Sequence, residues 1–327
     1  MRVSVGRATE LAVGALRGIG YPGQDAATIA DHLIDCELRG LGYSGLARIL
    51  SIAERLGDAG PTAEPIRVLR DNPVSARLDG ADNVGYLVAL RATETAITKA
   101  QTNGLAAVGA DNTWYTGMLS YYAELITARG LVAMIASNAT PWVAPFGGSQ
   151  ARFGTNPFCF GFPTGAPLPL IWDIGTSEII HAQAVLAQRT GAQLPDGVAY
   201  DVDGAPTVDP AAALVGSFVA WGGHKGSGLG VCVQLLGALV GSPALPGQLT
   251  DFGFLVLAID PECFGPADEF TAKVSGYADT LRATRPLDPA RPVRVPFERS
   301  AADRARRRGD DALDIEPDVI LAVEALG

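Results

Sequence analysis

Val219-Ala220-Trp221-Gly222-Gly223-His224-Lys225-Gly226-Ser227-Gly228-Leu229-Gly230 runs straight into Val231-Cys232-Val233-Gln234-Leu235-Leu236. Glycines at 222, 223, 226 and 228 let a backbone come close to a ligand, and the apolar, helix-compatible run behind them predicts an anion cradle at a helix start. The competing reading is a tight strand-to-helix turn with a solvated lysine. This is not a Walker loop, because His224 precedes Lys225 and Gly226 follows it. No G-x-G-x-x-G follows a strand in residues 1–60, so a bound dinucleotide requires a fold other than Rossmann.

The rest of the chain narrows the class. Its 327 residues suffice for two domains, and 48% hydrophobic with 18% charged residues describes a folded, soluble protein. A net charge of -10 argues against nucleic acid as the main partner, and the basic residues 304–308 are answered by Asp310 and Asp311. Lysine occurs at Lys99, Lys225 and Lys273 alone, so Lys225 stands out. Cys36, Cys159, Cys232 and Cys263 are widely spaced and read as buried thiols in a reducing compartment. No stretch approaches the roughly 18 apolar residues of a membrane span. A cytoplasmic protein without a membrane partner is expected.

Helical spacing marks residues 4–18, 23–38 and 46–56, with the glycine-punctuated connector Arg39-Gly40-Leu41-Gly42-Tyr43-Ser44-Gly45 before the third. Strand-length runs follow at 66–70, 75–79, 105–109, 131–136, 158–162, 168–173 and 252–260, with helices at 84–102, 118–128 and 266–283. Residues 111–117 read as a connector, and 300–308 and 316–326 as C-terminal helices. Residues 201–210 lack the register of a calcium loop and read as a polar hairpin. Helices at both ends of a strand-rich middle predict an α+β, mixed α/β fold. The expected division is a helical domain of residues 1–62 with 284–327, and a strand-rich cofactor and substrate domain of residues 63–283.

Together these residues resemble the non-Rossmann malate/L-lactate dehydrogenase family, whose members include sulfolactate and ureidoglycolate dehydrogenases and piperideine-2-carboxylate and pyrroline-2-carboxylate reductases. The likeness rests on Glu37-Leu38-Arg39-Gly40 with Gly45 and Arg48, Tyr121-Tyr122-Ala123-Glu124, Ala144-Pro145-Phe146-Gly147-Gly148 and Gly154-Thr155-Asn156-Pro157. Asp173 with Thr176-Ser177, Gly222-Gly223-His224-Lys225-Gly226, and Pro296 with Glu298-Arg299-Ser300 complete it. The resemblance implies a homodimer that moves hydride between NADPH or NADH and a small 2-oxo or 2-imino acid, with NADPH favoured. It assigns the cofactor to Tyr115, Thr116, Gly117, Met118, Leu119, Asp173, Ile174, Gly175, His181, Ala182, His224, Lys225, Arg294, Pro296, Phe297, Glu298, Arg299 and Ser300. Arg48 would clamp the substrate carboxylate with its two-pronged guanidinium, and Thr155 would touch the substrate. No metal site is expected.

The chain departs from that family where proton donors belong. Tyr43-Ser44-Gly45 stands where Ser-His-Gly is usual, and Tyr115 aligns with a second histidine. His181-Ala182-Gln183 keeps the histidine of a His-Gly-Asp unit and loses the acid. Reducing a ketone makes an alkoxide, whose protonation by a well-matched acid is worth about 10² to 10⁴-fold. Ser44, Tyr43 and Tyr115 are the remaining candidates, and each is a weak acid unaided. An iminium ends as a neutral amine and needs no strong acid at that step. A 2-imino acid reductase is therefore expected ahead of a 2-hydroxy acid dehydrogenase, with a cofactor-binding protein that has lost its chemistry as the alternative from another class. Local readings also stay open: Arg48 could pair with Glu37 or Glu54, and Ser44 could cap the helix after it.

Overall fold

A computed structural model describes all 327 residues. The chain opens with β1 (Arg2–Val3), α1 (Val5–Gly18), α2 (Gly23–Leu38) and α3 (Ala47–Leu56). In α1 the buried residues Ala8, Leu11, Ala12, Ala15 and Leu16 fall on one face, and the Ser4 hydroxyl caps its start by accepting from Arg7 N at 3.1 Å. The other end of the chain returns here. After α10 (Glu298–Gly309), β11 (Leu313–Asp314) pairs with β1, and α11 (Pro317–Glu324) packs on α1 and α3 through Val319, Ile320 and Val323.

Between the two ends come β2 (Arg67–Asn72), β3 (Ser75–Val84), α4 (Gly85–Asn103), β4 (Leu105–Trp114), α5 (Leu119–Thr127), β5 (Val132–Ser137), β6 (Phe158–Phe162) and β7 (Leu170–Ile174). Next are α6 (His181–Thr190), β8 (Ala199–Tyr200), α7 (Pro210–Val215), β9 (Ser217–Phe218), α8 (His224–Leu239), β10 (Phe252–Ile259) and α9 (Ala267–Arg282). Seven strands make one mixed sheet in the order β2-β3-β4-β10-β5-β6-β7. Only β3 and β4 run parallel, joined across α4; β10 lies antiparallel between β4 and β5, with Val256 opposite both Val108 and Ile135. The α+β reading thus holds, and the helices α4 and α5 bury their apolar faces on one side of this sheet.

Two readings change. Strand β4 does not stop at Gly109 but continues through Asp111, Asn112 and Thr113, because polar side chains find lateral partners: Arg77 donates to both oxygens of Asp111 at 3.1 and 2.9 Å, and Asn112 donates to Asp79 at 2.8 Å. The stretch quoted at the outset becomes helical at His224, as the run behind its glycines predicts, and two glycines further along α8 serve packing. A Cβ at Gly230 would lie 2.6 Å from the Phe153 ring, and one at Gly237 2.2 Å from the Asn138 amide carbon. These contacts bring α8 against β5 and β10, and Val240 at its end meets Gly109, on the face opposite Val108 and Ala110. Finally, Cys36 and Cys159 are buried but Cys232 and Cys263 are exposed, and all four are free thiols.

Candidate active site

The ends of several elements meet at one cleft of about 450 Å³. The turn after α2 and the first turn of α3 supply Tyr43, Ser44 and Arg48; the segment after β4 supplies Tyr115, Thr116, Gly117 and Met118. Thr155, Asp173, Gly175, His181, Ala182, Pro296, Phe297, Arg299 and Ser300 complete the expected part of the wall. Of the expected residues, Leu119, Ile174, His224, Lys225, Arg294 and Glu298 do not line it. Leu119, the first residue of α5, is fully buried in the core, and His224 and Lys225 are exposed on the first turn of α8. Glu298 instead accepts from Arg282 Nε at 2.5 Å and from Val295 N at 2.9 Å.

The 115–118 segment is held from several sides. Tyr115 and Gly117 take positive φ, 52° and 78°, a conformation a tyrosine adopts only when its surroundings impose it. His32 Nε2 accepts from Met118 N at 2.9 Å, Tyr122 donates its hydroxyl to Thr116 O at 2.9 Å, and Thr116 donates to Ser137 Oγ at 2.9 Å. A Cβ on Gly117 would lie 2.5 Å from His32 Nε2, so this position requires glycine twice over. His32, midway along α2, thus holds the cleft wall.

Arg48 is buried at 8% exposure with Nη1 lacking any partner, and its guanidinium carbon sits 4.3 Å from the centroid of the Tyr115 ring. Both carboxylates that could have paired with it are engaged elsewhere, Glu54 with Arg189 at 2.7 Å and Glu37 with Leu46 N at 2.8 Å. Ser44 does not cap α3; Leu46 occupies the cap position, and Glu37 takes its N–H. His181 lies flat on Trp142, ring centroids 3.9 Å apart, and its Nδ1 is buried without a partner. Gln183, where an acid was absent, caps α6 by accepting from Ile180 N at 2.9 Å.

Burial first, then the nearby Arg48, pulls His181 down to about 3, so its ring is neutral. Burial above all pushes the Tyr43 hydroxyl up to about 12. Asp173 is raised by burial, although its carboxylate accepts from Ser120 N at 2.7 Å and thereby caps α5. Trp142, Asn138, Arg39 and Tyr86 also line the cleft. Composition gave no signal for Trp142 or Asn138; Arg39 and Tyr86 sit at helix ends whose geometry becomes readable once the fold is known. Trp114 is fully buried, its Nε1 donating to Asp82 O at 2.9 Å, and Trp221 lies away from the cleft.

Residues 3–323 match the model of the family described as malate/L-lactate dehydrogenase. The chain belongs to that family. A malate/L-lactate dehydrogenase relative, the L-sulfolactate dehydrogenase of Methanocaldococcus jannaschii, is 31% identical over 315 residues, 93% of this chain and 91% of its own. A dehydrogenase from Sinorhizobium meliloti superimposes with TM-score 0.92 at 32% identity, covering 100% of this chain and 98% of that one. The Δ1-piperideine-2-carboxylate reductase of Pseudomonas syringae superimposes with TM-score 0.84 at 26% identity, covering both chains completely. The protein is therefore an oxidoreductase, and dehydrogenase chemistry of this family implies a nicotinamide cofactor. The cleft suits such a group: it is walled by the rings of Trp142 and Tyr115, and three of its lining residues, Arg39, Arg48 and His181, carry a buried polar atom that the protein leaves unpartnered.

Proposed function

We propose that the protein reduces the C=N bond of a small, cyclic 2-imino acid, using NADPH or NADH, with Arg48 holding the carboxylate. The observation that carries this reading is a buried guanidinium with no acidic partner beside a neutral His181, in a cleft whose Tyr43 hydroxyl is pushed up to about 12. A buried charge of that kind calls for an anion, and a 2-carboxylate supplies it. When bound, the nicotinamide supplies a hydride. Arg48 orients the acceptor, while Trp142, Tyr115 and His181 keep water from the reacting carbon. Hydride arriving at an iminium carbon sends the C=N electron pair to nitrogen and leaves a neutral amine, so Ser44, Tyr43 and Tyr115 need deliver no proton in that step. Thr155 lies on the same wall and is assigned to the substrate. Arg299, on the cleft wall, favours NADPH by offering a cation to the 2′-phosphate.

A second reading, a 2-hydroxy acid dehydrogenase, is favoured by relatives such as the L-sulfolactate dehydrogenase. Steady-state oxidation of NADPH with cyclic 2-imino acids and with 2-oxo acids separates the two. Turnover of 2-oxo acids without imine activity sinks the first reading, and cofactor binding without turnover of either sinks both. A homodimer is also proposed, because α8 presents Val231, Leu235 and Leu239 to solvent at 44%, 60% and 74% exposure along one stripe. No helix is long and apolar enough to cross a membrane.

A further inference from the structure

His181 opens α6, with its ring stacked on Trp142 at an interplanar angle of 19°. Since no protein group engages Nδ1, none dictates which ring nitrogen carries the proton. Neutral, the ring offers one N–H and one lone pair. A carboxylate on Arg48 confines the substrate's reacting C=N, one bond away, to the neighbourhood of Arg48. Among the other groups lining the cleft, Tyr115 turns its ring face to Arg48, Asp173 accepts from Ser120 N, and the hydroxyls of Ser44 and Thr155 can donate to an oxo oxygen as readily as accept from an N–H, so they do not discriminate between the two. We propose that the His181 imidazole accepts a hydrogen bond from the N–H of a protonated 2-imino acid and is the residue that selects imino over oxo acids; this rests on the imine reading above. A keto oxygen has no proton to give. It could meet the other tautomer through a neutral N–H···O bond, which is weaker than the charge-assisted one.

Pyrrole-2-carboxylate and furan-2-carboxylate test the contact without cofactor or turnover, since they share shape and carboxylate and differ in N–H against ring oxygen. Calorimetric titration of the wild type is expected to show about tenfold tighter binding of the pyrrole. His181→Phe keeps a ring on Trp142 and should erase that preference; His181→Gln places an amide oxygen near the imidazole edge and should retain it. An unchanged preference in His181→Phe overturns the proposal. In turnover, His181→Phe should lower kcat/KM for a cyclic imine by about 10 to 100-fold and reduce the imine-to-oxo ratio. Wild-type imine turnover with an unaltered ratio in His181→Phe removes the His181 assignment and leaves the imine reading standing. Oxo-acid turnover with no imine activity in the wild type removes both.

Discussion

Two arginines nine positions apart on either side of one turn, Arg39 and Arg48, are almost equally buried, at 3% and 8% exposure. Arg39 is surrounded by acid. Its Nε donates to Asp35 at 2.6 Å, its Nη2 to Glu124, and its plane lies over Phe297, 4.6 Å from the ring centroid. Arg304 joins the same two carboxylates, at 3.3 Å from Asp35 and 2.7 Å from Glu124, so α2, α5 and α10 meet in one charged knot. Arg48 has an aromatic face and no acid. The same residue type, buried to the same degree, is structural where its charge is compensated within the chain. At Arg48, where no carboxylate of the chain compensates it, the charge is left for the anion proposed above.

The sharpest break of that comparison is Arg48→Met. Losing the clamp on a desolvated carboxylate should lower kcat/KM by about 10² to 10³-fold. The fold should lose nothing and gain up to about 1 kcal/mol, because an uncompensated buried charge leaves with the guanidinium. Denaturant melts beside steady-state kinetics check both halves, and a destabilised Arg48→Met would place its charge in the structural class with Arg39. Arg39→Met should do the reverse, costing about 3 kcal/mol of stability as Asp35 and Glu124 lose a cation, with Arg304 retaining part of the network. Its kcat/KM per folded molecule should fall far less than that of Arg48→Met.

The contrast also shows how far the sequence could be read. Helices α1, α3 and α4 follow from spacing alone, because each buries one regular face, and α2 does so in its first half before residues 32–38 are buried on every side. The course of β4 beyond Gly109 was illegible, since Asp111 and Asn112 are polar and their compensation comes from Arg77 and Asp79 on another strand. Of the glycines that suggested a ligand, Gly222 and Gly228 have open space around them and Gly226 abuts Trp221 O, while the close packing of α8 on Phe153 and Asn138 comes from Gly230 and Gly237, which spacing alone did not single out. At the cleft, Arg48 and His181 were named from the family resemblance. That Arg48 is unpaired could not be, because pairing depends on where Glu37 and Glu54 point. Trp142 comes from a long loop with no periodicity, and only the fold brings it under His181.

The smallest effect concerns the turn that separates the two arginines. Glu37 is buried beneath it, accepting from Leu46 N, and a Cβ on Gly45 would lie 2.1 Å from its Oε1. Burial raises its carboxyl from 4.5 to about 7, against the Leu46 hydrogen bond and Arg307, which pull it down. Between pH of about 4.5 and 7 the folded state therefore holds a proton that the unfolded state has released, and stability falls as pH rises through that window. Glu37→Gln keeps an oxygen for Leu46 N and removes the titration. At pH 8 the variant should be more stable by about 2 kcal/mol, a rise of about 3 °C in Tm, while at pH 4 the two proteins should melt together. Its kcat/KM should stay within about twofold, because Arg48 keeps its place at the start of α3. A loss of stability at pH 8 would instead mean that the negative charge itself holds the turn, and that Arg48 has a compensating carboxylate after all.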